Sequence, residues 1–226
     1  MRASRKARPT FTAEYDLWKA GHRVIVGVDE GGVGAMAGPI VAAAVLLPLS
    51  EVDVDLTLRE LAELWWEVRD SRDIADAKKE RLDTLIRQTA RVEIGIVEVA
   101  ELAEKGLSSA ASRVATERAL DALSRPLDAV LLDGDIGLPA RDLVYRKIAK
   151  VRGVTTSLTI SAASIVASVH FNRLMCAFGE QYPEYGFSEH KGYVTVRHKD
   201  ALRRYGPCPI HHPHHKIVRS ALADRS

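Results

Sequence analysis

The chain is poor in cysteine and in aromatic residues, has no long unbroken apolar run, and leans to neither sign of charge. Cys176 and Cys208 are its only cysteines in 226 residues. Two thiols cannot build a disulfide framework, so a reducing compartment and a cytoplasmic location are expected. The longest apolar stretch, Ala35 to Leu49, contains Gly38 and Pro39 and is too short to cross a bilayer. The N-terminal M-R-A-S-R-K-A-R-P is basic but no apolar segment follows it, so it does not read as a secretory leader. No membrane association is expected. Formal net charge is +2, from 32 basic and 30 acidic residues, which neither demands nor excludes a polyanionic partner. No internal repeat or linker stands out.

What is present is a core and a pattern. Apolar residues make up 46% of the chain, enough to bury one large domain. Val24 to Asp29 is a continuous β-branched run, as expected of a central strand covered on both faces. Ile40 to Leu47 reads as the next strand, and Val92, Ile94 and Ile96 alternate as a third. Ala129 to Leu132 is a short buried strand ending on Asp133, and Leu143 to Ile148 is a candidate for another. One helical turn is expected around Ala13 to Lys19, and helices over Ser108 to Leu123, Ile160 to Phe178 and Thr195 to Tyr205, and from a cap at Asp70-Ser71 through Ile74, Leu82, Leu85 and Ile86. Val52 to Trp66 fits either a helix or an irregular insert. Strands followed by strands alternating with helices predict an α/β fold, a mixed sheet with helices on its faces. One domain over 23–205 is the economical division, with a basic lead-in over 1–22 and a basic, His-rich tail over 206–226.

Two strands end on carboxylates. Asp29 and Asp133 each close an apolar strand, and glycine follows each within two residues. If those strands are neighbours the two acids converge, and Glu30 joins them as a third oxygen donor. Such a set suits a hard cation, Mg²⁺ or Mn²⁺, which also takes waters and a substrate phosphate. The competing reading is that acids simply punctuate strand ends near glycine. The glycines of G-G-V-G, Gly31 to Gly34, let backbone amides approach a sugar or phosphate, but equally fit a tight hairpin connection.

Several ordered blocks then carry a resemblance. G-V-D-E-G-G-V-G-A-M-A-G-P-I-V-A-A-A-V (27–45), D-S-R (70–72), L-L-D-G (131–134), I-S-A-A-S-I-V-A-S-V (160–169), Y-P-E-Y-G-F-S-E-H-K-G-Y (182–193) and Y-G-P-C-P-I-H (205–211) resemble the bacterial ribonuclease HII family. The resemblance implies a ribonuclease H-like mixed sheet flanked by helices, with a small helical C-terminal part. It implies an endonuclease that hydrolyses the RNA strand of RNA–DNA hybrids and cuts 5′ of ribonucleotides embedded in duplex DNA. It implies Mg²⁺ or Mn²⁺ held by Asp29, Glu30 and Asp133, and a monomer. Substrate contacts fall on Gly32, Val33 and Gly34 at the ribose, on Tyr193 at the adjacent deoxyribose, and on Ser161 and Ser164. His190 and Lys191 either contact the nucleic-acid backbone or brace Tyr193.

The sequence also departs from the family pattern. Val154 stands where a fourth acid is expected, Val33 replaces the arginine of G-R-G, and Arg72 replaces the lysine of D-S-K. Ser168 and Asn172 replace a lysine and an aspartate, and H-H-P-H-H (211–215) replaces H-R-R-S-F. Asp135 would face the same side as Asp133 on a continuing strand; a bend at Gly134 would leave it solvated instead. The alternative function is a descendant that binds hybrids or junctions with weakened or no cleavage. The histidine run reads as an exposed tail, as an adventitious site for Zn²⁺ or Ni²⁺, or as partial positive charge beside a phosphate.

Overall fold

The computed structural model describes residues 8–49, 54–105, 109–133, 144–148 and 157–223. Asp135 and Val154 lie outside these. Among the described residues the sheet has five strands in the order β3-β2-β1-β4-β5. β1 (Ile25–Gly31) and β2 (Ile40–Leu46) form an antiparallel pair joined by the glycine-rich turn, and β3 (Arg91–Val97) extends it antiparallel beyond β2. β4 (Ala129–Asp133) runs parallel to β1 on its other side, with β5 (Val144–Ile148) parallel to β4. The β-branched run therefore occupies the middle of the sheet, where both faces need apolar side chains.

Helices cover both faces. The α-helices among the described residues are α1 (Thr12–Lys19), α2 (Val54–Leu64), α3 (Asp76–Thr89), α4 (Val99–Lys105), α5 (Ser109–Ala122), α6 (Leu158–Gln181), α7 (Phe187–His190), α8 (Val196–Tyr205) and α9 (Lys216–Ala223). One face packs Val41, Ala43 and Val45 against Ala162, Ala163, Ile165 and Val166 of α6. The other packs Val26, Val28, Ala42 and Ala44 against Ala111, Ala115 and Ala119 of α5. Small residues let each helix lie close to the strands. A Cβ on Gly27 would sit 2.5 Å from Thr159 at the start of α6, and one on Gly95 would sit 2.0 Å from the Ala115 carbonyl of α5. Every residue from Leu158 to Ala167 is buried, so the first turns of α6 are enclosed on all sides. Composition and length alone would also allow α6 to cross a membrane; here it is the central core helix.

The ambiguous stretch before Trp66 is helical, as α2. The cap at Asp70 belongs elsewhere than expected. Asp70 accepts from Arg72 N and opens a 3-10 turn, Ser71–Asp73, and Ile74 then returns to an extended conformation. The amphipathic helix begins separately at Asp76 after an uncapped Ala75. The lead-in is tied to the core: Glu14 of α1 is fully buried, and its Oε1 accepts from Thr159 N at 3.1 Å and from the Ser157 and Thr159 hydroxyls. The C-terminal segment is packed rather than trailing. His211 and His212 are buried, and Ala37 and His211 form an antiparallel bridge.

Candidate active site

The register of the sheet decides which acids meet. β1 and β4 are parallel, with Val28 beside Leu132, so the next residues, Asp29 of β1 and Asp133 at the end of β4, come side by side where the β1–β4 pairing stops. Asp29 pairs across to Ala43, on the α6 face, and Leu131 lies with Ile160 of α6, so Asp133 shares that face by alternation. Glu30 pairs with Ala42, which belongs to the α5 face, so its side chain starts from the opposite side of the sheet. The register thus brings Asp29 and Asp133 together on one face. Among the described residues, no three His, Cys, Asp or Glu side chains close a ready-made metal cage. Asp29 is buried, with Oδ1 accepting from Glu30 N at 2.9 Å.

A guanidinium faces the acid pair. Arg72 Nε and Nη2 donate to the two Asp70 oxygens at 2.9 and 2.6 Å. That bidentate pairing raises the Arg72 pKa further above its ordinary value, and the charges of Asp29 and Asp133 add to it. The 3-10 turn carrying Arg72 is pinned to α6: Ser164 Oγ accepts from Ser71 N at 3.3 Å and donates to Ser71 Oγ at 2.9 Å. Ser161 is buried and donates to the Ser157 carbonyl at 3.1 Å. Both serines of the S-A-A-S block therefore hold the scaffold in this structure.

The glycine-rich turn completes the site. Gly32 has φ +89°, and a Cβ there would lie 2.5 Å from the Pro39 carbonyl, so only glycine fits. Ala35 N bonds to Gly32 O at 3.0 Å, which closes a tight turn and leaves Val33 about half exposed at its tip. The Gly32 backbone hydrogen-bonds to the Tyr193 hydroxyl, whose pKa is raised mainly by burial. The ring of Tyr193 stands edge-on to Phe171 with 5.9 Å between centroids. His190 braces this loop: its Nε2 donates to Tyr185 O at 2.8 Å, and its Nδ1 accepts from Gly192 N at 3.2 Å. Lys191, at φ +50°, donates to the Ser188 carbonyl.

These features sit within a recognisable chain. The family model for ribonuclease HII matches residues 26–220. The chain belongs to the ribonuclease HII family. The ribonuclease HII of Syntrophotalea carbinolica is 39% identical over 210 residues, covering 92% of this chain and 93% of that protein. That of Chloroflexus aurantiacus is 38% identical over 215 residues, covering 95% and 96%. The fold matches the Pyrococcus horikoshii ribonuclease H2 structure with a TM-score of 0.68, at 22% identity, over 89% of this chain and 98% of that one. It also matches Bst-RNase HIII in complex with Mn²⁺, with a TM-score of 0.67, at 21% identity, over 99% and 76%.

Three parts of this candidate site escape a reading of motifs. Lys79 of α3 reaches Asp76 at 2.9 Å and Ser168 Oγ at 3.3 Å, while Asn172 donates to Asp76 at 3.3 Å. An ammonium from another helix therefore stands beside position 168. His198 is buried and donates from Nδ1 to Tyr193 O at 3.0 Å; its Nε2 then accepts from His211 Nε2, also at 3.0 Å. His212 touches the glycine-rich turn itself. No sequence spacing links positions 79 and 168, or 193, 198 and 211, because these contacts arise only when α3 meets α6 and the C-terminal segment folds back.

Proposed function

We propose that the chain is a divalent-cation-dependent endoribonuclease that hydrolyses the RNA strand of RNA–DNA hybrids and cuts 5′ of ribonucleotides embedded in duplex DNA. The observation that carries this reading is the approach of Asp29 and Asp133 on adjacent parallel strands, just past the last β1–β4 pair, beside a glycine turn bonded to Tyr193. The donor set is all oxygen and suits a hard cation. Asp29 and Asp133 would hold Mg²⁺ or Mn²⁺, with Glu30 and Asp135 as further donors. Such a cation, when bound, supplies charge neutralisation at the phosphodiester and acidifies water near it.

The chain's own residues supply position. Backbone groups of Gly32, Val33 and Gly34 lie where a 2′-hydroxyl, the mark of RNA, can be read by hydrogen bonds. Half-exposed Tyr193 offers its ring to the neighbouring sugar, and His190 and Lys191 fix its loop. Ser161 and Ser164 act through the scaffold, by holding the Ser71–Arg72 turn. Arg72, fixed by Asp70 and open to solvent, is placed to meet the scissile phosphate. The thiols of Cys176 and Cys208 are free, in keeping with a reducing, cytoplasmic setting, and the working unit is a monomer.

The test is cleavage of a labelled DNA duplex carrying one ribonucleotide, with Mg²⁺ and separately Mn²⁺. The expected outcome is incision on the 5′ side, giving 3′-hydroxyl and 5′-phosphate ends, and a loss of about 100-fold or more in Asp29→Asn. Binding without incision in either metal would overturn the nuclease reading and favour a hybrid-binding descendant.

A further inference from the structure

His212 is fully buried, and both of its ring nitrogens face carbonyl oxygens of the glycine-rich turn: Nδ1 lies 3.1 Å from Ala35 O and Nε2 lies 2.5 Å from Gly38 O. A carbonyl only accepts, and a neutral imidazole carries one N–H. Both contacts are hydrogen bonds only when the ring is doubly protonated. With one proton missing, a nitrogen lone pair is held against a carbonyl oxygen away from water, an unfavourable contact. The buried histidines nearby differ in this respect. His198 and His211 satisfy each other and their neighbours as neutral rings, with Cys208 N donating to His211 Nδ1 at 3.0 Å.

The turn that His212 grips is the one that forms the site. His212 N also donates to Met36 O at 2.8 Å, Gly38 N donates to Ile210 O at 2.9 Å, and Met36 N donates to Gly192 O at 2.8 Å. Residues 35–38 are thus held between the Tyr193 loop and the C-terminal segment. Met36 packs below with Leu202 of α8 and Val218 of α9, both apolar. Among the described residues, the titratable groups acting on the ring are His215 and His211, bases of the same segment. Burial pulls the His212 pKa below the ordinary imidazole value, and the two carbonyls oppose that pull.

We propose that His212 is a positioning residue that clamps the substrate turn through Ala35 and Gly38, and that the clamp is operated by a proton: two bonds with the ring doubly protonated, one with it neutral. Loss of the proton loosens the turn carrying Gly32 to Gly34 and shifts Tyr193 through Gly192. The kinetic part of this inference rests on the reading of that turn as the ribose contact; the spectroscopic part does not.

The experiment has two arms on the full-length protein. In the first, ¹⁵N–¹H spectra of the imidazoles are recorded across pH, together with the backbone amides of Gly32 to Gly38. The expected result is a His212 ring with two N–H groups on the acid side of the ordinary histidine range, whose titration shares its midpoint with the turn amides. In the second, KM and kcat for the single-ribonucleotide duplex are compared across pH in the wild type, His212→Arg and His212→Gln. Arginine keeps several donors and its charge at every pH. The wild-type KM is expected to rise about tenfold as pH increases through the His212 midpoint, while kcat changes less. The Arg variant loses that step, and the Gln variant stays at the weak-binding end. A ring with a single N–H throughout the folded range, or turn amides that ignore its titration, would overturn the clamp. So would an Arg variant that keeps the wild-type KM profile. If the wild type cleaves in neither metal, the nuclease reading fails while the spectra still decide the clamp.

Discussion

At the scale of single residues, burial sets the chemistry. Glu14 has no exposed surface, and among the described residues its Oε2 has no hydrogen-bond partner while Oε1 takes three. Desolvation raises its pKa, more than the Ser157 and Thr159 bonds lower it. The folded pKa therefore lies above the unfolded one. Its contribution to stability is fully present below the ordinary carboxylate value and is lost as pH rises through the folded pKa. Glu14→Gln keeps the Oε1 acceptor and removes the charge, so its thermal midpoint at pH 7 is expected to equal or exceed the wild type. Glu14→Ala strands the Thr159 amide and two hydroxyls and is expected to cost ~1–3 kcal/mol. Calorimetry of both variants at pH 5 and 7 checks this; a Gln variant destabilised as much as the Ala variant would contradict it.

At the scale of elements, the close approach of strand and helix places the site. Gly27 lets the start of α6 lie directly on β1, and that contact aligns Ser164 under the Arg72 turn. Gly27→Ala would drive a methyl group into Thr159 and is expected to cost at least ~1–3 kcal/mol by overpacking. Gly34 is the contrast: among the described residues a Cβ there meets only the Tyr193 ring, at 4.0 Å, so Gly34→Ala should stay within ~0.5 kcal/mol of the wild type. Urea midpoints of the two variants decide the matter, and equal losses would refute the packing argument. The same scale explains the misplaced helix start. A capping aspartate at position 70 and an amphipathic pattern from Ile74 look like one helix in sequence. The cap serves a 3-10 turn because Ser71 is drawn to Ser164, which the local pattern cannot show.

At the scale of the whole molecule, the C-terminal segment is an acid-sensitive buttress. Burial, reinforced for His211 by His198, lowers the pKa of His198 to about 4 and of His211 to about 3. Both rings are neutral in the folded state and protonate near the ordinary value of 6.5 when released. Their contribution is therefore complete above pH 6.5 and is lost as pH falls toward 4 and then 3. Each adds a slope of ~1.4 kcal/mol per pH unit within its window. The urea midpoint is expected to drop steadily from pH 7 to pH 4, and His211→Gln should flatten that limb. An unchanged slope in the variant would show that other groups carry the acid sensitivity.

Much of this protein is legible in its chain. The continuous run at Val24, the alternation at Val92 and the small-residue blocks determine strands and helices, because burial on one or two faces writes its period directly into the residues. Asp29 and Asp133 are marked by strand ends and glycine. The tertiary structure alone decides that these two acids share the α6 face while Glu30 starts from the other, because strand register and alternation set which side a side chain takes. It alone gives Ser161 and Ser164 scaffold contacts and brings Lys79 to Ser168. It also buries His211 and His212 of an apparently exposed histidine run and makes His212 a hold on the substrate turn, because that contact joins residues 177 apart in sequence, His212 and Ala35.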